Sequence, residues 1–347
     1  MKGIICSGLS TLVWLKESLK SLDWRVVLAL VLAAAVFISV FAMINNGRYT
    51  VGDESYMSSV DNQNHFSVRW MGFSPSYSNK YPEYHICINN LKSDILAMSI
   101  ALQIKNQEDS GYYFKIEKHT EPPAGWTIPS MTIGYIDKDE TKAFTYSVSR
   151  IKPTTIPEGL ITENISLVVK AYYDPSLTDL YSQDSFNVTF NFIDRLAPVW
   201  TTIYHDNFDD GTTQGWSGIG HYPRISVSDT YYRSFKYSLR VNSEYTNLNE
   251  EVGFSKTFTI GSGVQKAYLI YSIRSGMWGS ARIEFDGVTY FQPDVQPQDN
   301  VWYQFTIPLP LPEVPGMSKT TTVGIWASLA YYENSCAYLD DVYVIVM

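Results

Sequence analysis

Ala281-Arg-Ile-Glu-Phe-Asp-Gly-Val-Thr-Tyr-Phe291 reads as two alternating runs hinged on Asp286-Gly287. Period-two alternation puts one face on a core and the other in water, and an Asp-Gly pair suits a two-residue hairpin whose central residues take positive φ. Working outward, further runs of this type occupy 238–241, 252–258, 267–273, 302–307, 322–327 and 337–346. Pro308, Pro310, Pro312 and Pro315 force a loop between two of them. Upstream, Arg195-Leu-Ala-Pro-Val-Trp200 reads as a short linker, because Pro198 interrupts pairing where one strand series ends and the next begins.

Before the linker, runs at 66–70, 84–88, 97–104, 112–117, 142–148, 165–173 and 186–193 predict a β-sandwich. Turn chemistry separates them: Glu121-Pro-Pro-Ala-Gly125, 137–140, and Lys152-Pro153 through Gly159. Aromatic residues make up 15% of the chain, with 26 Tyr and 9 Trp, a bias that favours strands. The expected architecture is all-β: one sandwich at 63–197 and a second at 203–347, with no repeat relating them.

The N-terminal region is of another kind. Residues 26–44, VVLALVLAAAVFISVFAMI, carry no charge, and Ser39 is their sole polar side chain. As a helix this run is about 28 Å long, close to the roughly 30 Å of bilayer hydrocarbon, so a transmembrane helix is expected. Lys2, Lys16, Lys20 and Arg25 precede it, whereas Arg48 is the one base just after it. That asymmetry predicts a cytoplasmic segment at 1–25 and an extracellular C-terminal part. A cleaved signal peptide is the alternative, with small residues near Ala42; the length of the apolar run favours an uncleaved signal anchor. Residues 4–23 have an apolar face at helical spacing, suited either to the inner membrane surface or to a cytosolic stub. Residues 45–62 are polar and read as a stalk.

With 26 basic against 35 acidic residues the formal net charge is −9, so nucleic acid, whose phosphates would be repelled rather than neutralised, is not expected as a partner. Cys87 and Cys336 fall in different sandwiches; no spacing demands a disulfide, and two buried free thiols are expected. Asn164-Ile-Ser and Asn187-Val-Thr are glycosylation acceptor sequons, consistent with an exterior location. No G-x-S-x-G and no His-x-His or H-E-x-x-H spacing occurs among the five histidines. No enzymatic activity is expected, although a pair of distant acids as used by glycosidases leaves no motif to read.

Residues 60–195, through the loop PPAGW, the hairpin IDKDET followed by FTYSVS, and the late strand VVKAYYD, resemble immunoglobulin-like or fibronectin-type-III-like surface modules. In the second half, Asn207-Phe-Asp-Asp-Gly211 with Gly215-Trp216, then Ser234-Phe-Lys-Tyr-Ser-Leu-Arg240, Val301-Trp-Tyr-Gln-Phe-Thr-Ile307 and Tyr338-Leu-Asp-Asp-Val342 resemble galactose-binding-like jelly rolls, including many carbohydrate-binding modules. The resemblance implies adjacent first and last strands and a structural Ca2+ held by Asp209 and Asp340, with Asp210 and Asp341 as neighbours. It also implies that Trp216 and Trp302 pack inside. Trp278, Trp326, Tyr331 and Tyr332 are then the candidate ligand-binding aromatics, since sugars are gripped by exposed aromatic faces. The expected function is glycan or envelope-component binding at the cell surface. A structural or adhesive envelope protein using its sandwiches for protein contacts, and an accessory subunit of a surface enzyme or transporter, are the alternatives.

Overall fold

The computed structural model describes residues 65–70, 83–89, 91, 93–154, 156–220, 222–243, 251–275, 282–291, 302–314, 316–328 and 336–347. The predicted transmembrane run at 26–44, the segment 4–23 and the stalk at 45–62 lie outside these residues. Among the described residues no helix is long and apolar enough to cross a membrane.

The first sandwich comprises β1 (Phe66–Trp70), β2 (Glu83–Cys87), β3 (Ile95–Asn106), β4 (Tyr112–Lys118), β5 (Trp126–Thr127), β6 (Met131–Ile136), β7 (Thr141–Ile151), β8 (Leu160–Tyr172) and β9 (Leu180–Ile193). One sheet has the order β1-β3-β7-β5 and the other β2-β9-β8-β4-β6. In β3 the residues 96, 98, 100, 102 and 104 all face inward, and they meet Phe114, Ile116, Leu167, Val169, Phe190 and Phe192 from the opposite sheet. An ion pair clips the sheets together: the Arg150 guanidinium holds the Glu163 carboxylate with two N–H bonds, and Trp126 Nε1 adds a third at 2.7 Å. Both side chains are largely withdrawn from water, so removing either partner would leave the other as an uncompensated buried charge.

The second sandwich comprises β10 (Thr201–Asp206), β11 (Ser217–Gly220), β12 (Pro223–Ser228), β13 (Ser238–Ser243), β14 (Glu251–Ile260), β15 (Ala267–Ser275), β16 (Arg282–Phe285), β17 (Val288–Phe291), β18 (Trp302–Pro308), β19 (Lys319–Ser328) and β20 (Ala337–Val346). Its sheets run β12-β13-β20-β15-β18, with β10 also on β20, and β11-β14-β19-β16-β17. The 281–291 hairpin forms as read: Phe285 pairs with Val288, and Asp286 and Gly287 take φ of 52° and 82°. First and last strands are adjacent, β10 pairing with β20 from Asp206↔Val342 to Thr201↔Val346. All of β20 is buried: β15 pairs along one edge and β13 followed by β10 along the other, the core covers one face, and residues of the first sandwich and linker cover Tyr343 and Ile345 on the opposite face.

Five strands, β5, β6, β10, β11 and β12, lie outside the predicted runs. In β6 a register shift between Phe114 and Lys115, opposite Gly134 with φ of 96°, breaks the alternation. In β11 two of four residues are glycine, β12 opens on a proline, and β5 is two residues long, so none shows a readable period.

The two sandwiches meet through the linker. Cys87, Ile193, Ala197 and Trp200 bury themselves against Tyr268, Ile270, Tyr343 and Ile345, which lie on the outward face of the sheet containing β20. Hydrogen bonds cross the same seam: Cys87 N–H donates to Thr306 Oγ1 at 3.0 Å, and Gln304 Nε2 donates to the Cys87 carbonyl at 3.0 Å. The linker folds as consecutive turns, Ala197 N–H to Asp194 O and Trp200 N–H to Ala197 O. Asn89 locks them, donating to Asp194 at 2.8 Å and accepting from Arg195 N–H at 2.7 Å. Trp200 Nε1 donates to Gly159 O at 2.9 Å. Cys87 and Cys336 are both free and buried.

Candidate ligand-binding face

In the sheet containing β20, Leu239, Val241, Ile273, Ala337 and Leu339 fill the core. Alternation therefore turns Arg240, Arg274 and Tyr338 to the opposite side. Register then aligns them: Arg240 pairs with Tyr338, Tyr338 with Arg274, and Arg274 with Trp302, one row across β13, β20, β15 and β18. The next row holds Asp340, Ser272 and Gln304. The rows beyond are those buried in the seam, so the first sandwich covers one half of this face and leaves the arginine row beside its edge.

The loop between β12 and β13 lines that row. The Arg274 guanidinium lies 3.7 Å from the centroid of the Tyr231 ring, and Tyr231 meets Tyr338 edge-on at 5.1 Å. Tyr231 and Tyr232 are exposed, and Phe235 is 78% exposed at the loop tip. Arg233 reaches across to Gln304 Oε1 at 3.3 Å. Tyr338 is buried; desolvation first, and the Cys336 thiol donating to its hydroxyl at 3.0 Å second, hold its pKa well above the ordinary value. It stays a protonated donor. Arg240 Nε is buried, with no acceptor against it among the described residues. The result is an aromatic wall beside planar, fixed N–H forks, the donor geometry suited to sugar hydroxyls and carboxylates.

Of the aromatics singled out from the sequence, Trp326 sits on the other sheet. It pairs with Gly253 and Arg282 and folds back over Gly324, whose missing Cβ leaves room for its indole nitrogen. Arg282 stacks on its ring at 4.7 Å and bridges Glu251 and Glu284 at 3.1 Å each. Trp326 is thus half-buried beneath a cation already engaged by two carboxylates. Trp278, Tyr331 and Tyr332 lie outside the described residues; in the chain, Trp278 follows Arg274 by four positions and Tyr332 precedes Tyr338 by six. Trp216 packs in the core as expected, its Nε1 donating to Asp206 at 3.0 Å. Trp302 does not pack inside: its side chain is half-buried on the outward row, because Tyr303 turns to the core in its place.

The acidic residues gather where β20 passes from β13 to β10. Asp340 is fully buried and accepts N–H bonds from Arg233 at 2.7 Å, Ser234 at 3.0 Å and Asp341 at 2.8 Å, with the Ser234 hydroxyl at 3.1 Å. Asp209 accepts from Lys236 N–H and Asn207 Nδ2, and exposed Asp210 from Thr212. Asp341, with φ of 52°, lies 3.9 Å from Arg233. Burial, reinforced by Asp340, pushes its carboxyl up to about 6. Calcium needs six to eight converging oxygens. Here N–H donors occupy the Asp340 oxygens instead, and among the described residues no group of three or more His, Cys, Asp or Glu is arranged to hold a metal. As arranged, these residues do not fit the cation that the resemblance implies.

Asn164 and Asn187 are both exposed, on adjacent strands, and their sequons interlock: Asn164 pairs with Thr189 and Ser166 with Asn187. The Cys87 thiol is pushed up to about 11 by burial, which keeps it a thiol.

No family model matches the sequence, and no curated protein matches it. Solved structures similar to the chain include carbohydrate-binding modules of the β-sandwich kind. One, from work on promiscuous carbohydrate-binding modules of the β-sandwich superfamily, is 15% identical and covers 82% of this chain and 99% of its own, at a TM-score of 0.30. Another is the Caldicellulosiruptor saccharolyticus CBM27-1 in complex with mannohexaose, 16% identical, covering 42% and 95%, at 0.28. The K1 cleaved adhesin domain of Lys-gingipain from Porphyromonas gingivalis W83 is 12% identical and covers 42% and 97%, at 0.29.

Proposed function

We propose that the protein is a non-catalytic, membrane-anchored surface protein that binds glycan through its C-terminal sandwich, on the row Arg240, Tyr338, Arg274 and Trp302 with Tyr231 as its wall. The observation that carries this reading is the row itself: rigid aromatic faces at the solvent boundary, flanked by planar donors whose positions are set by strand register and by stacking. Anchoring rests on the uncharged run at 26–44 and the basic residues before it. In this reading the proximal sandwich is a spacer to which the seam fixes the C-terminal sandwich. Tyr338 kept protonated and Cys87 kept a thiol suit binding rather than nucleophilic chemistry.

A glycan array probed with the full chain, and with Tyr231→Ala, Trp302→Ala and Trp326→Ala variants of native circular dichroism, tests the proposal. Binding should be lost in the first two and kept in the third. Absence of any glycan signal in the wild-type protein, or loss confined to Trp326→Ala, would refute it.

A further inference from the structure

We infer that the sugar this row takes is an acidic one, its carboxylate seated between Arg240 and Arg274 above Tyr338. The inference rests on the glycan reading and narrows it to a class of ligand. Both arginines pair in register with the same residue, Tyr338, from opposite sides. Their Cα atoms are therefore two strand spacings apart, roughly 10 Å, a gap that two guanidinium arms close around one small anion. Arg274 is fixed by its stack on Tyr231.

Arg240 supplies the second observation. Its Nε is buried and meets no acceptor among the described residues. A buried donor left this way is a standing cost that a ligand oxygen removes. Charge points in the same direction. The protein carries −9 overall, yet this row holds two arginines and no acid. The acid in the next row of the sheet, Asp340, already receives N–H bonds from Arg233 and Ser234, and Asp341 lies beside Arg233. A carboxylate takes guanidinium forks in its own plane and supplies the acceptor that Arg240 Nε otherwise lacks among the described residues. Tyr231, Tyr232 and Trp302 meanwhile offer flat surfaces that a bare inorganic anion could not use.

The test is calorimetric titration of the full chain with uronate- and sialate-bearing oligosaccharides, with the same compounds after methyl esterification of the carboxyl, and with sodium sulfate. At least one acid form should bind about tenfold or more tightly than its ester, as expected for a charge-assisted pair, and raised salt should weaken it. Arg240→Gln should erase that preference, and Arg240→Lys should restore part of it, which a merely structural role for Arg240 would not produce. Acid and ester bound equally, with binding still abolished by Tyr231→Ala, would overturn the inference and leave the glycan reading standing. Sulfate bound as tightly as the acid oligosaccharides would reduce the row to a bare anion seat and overturn it as well. No binding of any form, together with a silent array, would overturn both.

Discussion

Replacing Asp340 with alanine removes the acceptor around which the loop before β13 is built. Three backbone N–H groups, of Arg233, Ser234 and Asp341, and the Ser234 hydroxyl converge on its carboxylate. Each buried donor stripped of its partner costs roughly 1–3 kcal/mol. The hydroxyl can rotate away and water can follow the loop inward, so the total falls short of four full penalties, at about 3–5 kcal/mol. The charge is not the source of this stability. Burial, as the largest influence, raises the Asp340 pKa, so ionisation is opposed in the fold and the acceptor geometry is what counts. Asp340→Asn, which keeps one acceptor oxygen, should therefore lose less than half as much. Urea denaturation of the full chain, following the transition of the second sandwich, measures both variants. A loss below about 1 kcal/mol for Asp340→Ala, or a larger loss for Asn than for Ala, would refute the reasoning.

Asp341 should act with pH in the opposite sense to a typical carboxylate. Its folded pKa is raised to about 6 from 3.8, so its contribution to stability is full below about pH 4 and is lost as pH rises through 6. By linkage the loss approaches about 3 kcal/mol. Asp341→Asn, whose residue type tolerates positive φ, should raise stability at pH 7.5 and leave it nearly unchanged at pH 4; equal effects at both pH values would contradict this. Gly159→Ala should loosen the seam: Gly159 has φ of 71°, and its added Cβ would collide with Val199 and with the Trp200 indole that bonds its carbonyl. Calorimetry should then resolve two transitions in the variant and one coupled transition in the wild-type protein. Chelation should not move the melting temperature relative to saturating calcium, because N–H donors already occupy the Asp340 and Asp209 carboxylates at the β13–β10 junction; a rise of several degrees with calcium would restore the metal.

The hairpin at 281–291 was legible because an Asp-Gly turn is local chemistry, whereas the adjacency of the first and last strands, which lie at opposite ends of the module, was implied only by the resemblance to galactose-binding-like jelly rolls. Strands such as β11 and β12 escaped notice because glycine and proline erase the period that marks a strand. The ligand row was harder still. Arg240 and Arg274 read in sequence as ordinary solvated positions of amphipathic strands, and nothing local reveals that Tyr338 stands between them; that alignment exists only in cross-strand register. The aromatic density of Tyr231-Tyr-Arg-Ser-Phe-Lys-Tyr237 was the one available signal. Trp326 was prominent by residue type, but its indole is held under Arg282, a contact set by pairing with β16.

The most direct test of glycan binding at the arginine row is amide hydrogen exchange of the full chain with and without a glycan selected on the array. Bound glycan should slow exchange in peptides spanning 229–240, 302–306 and 336–340, and leave 282–285 and 322–328 unchanged. Protection confined to the Trp326 face, or none near Tyr231 and Tyr338, would contradict the account.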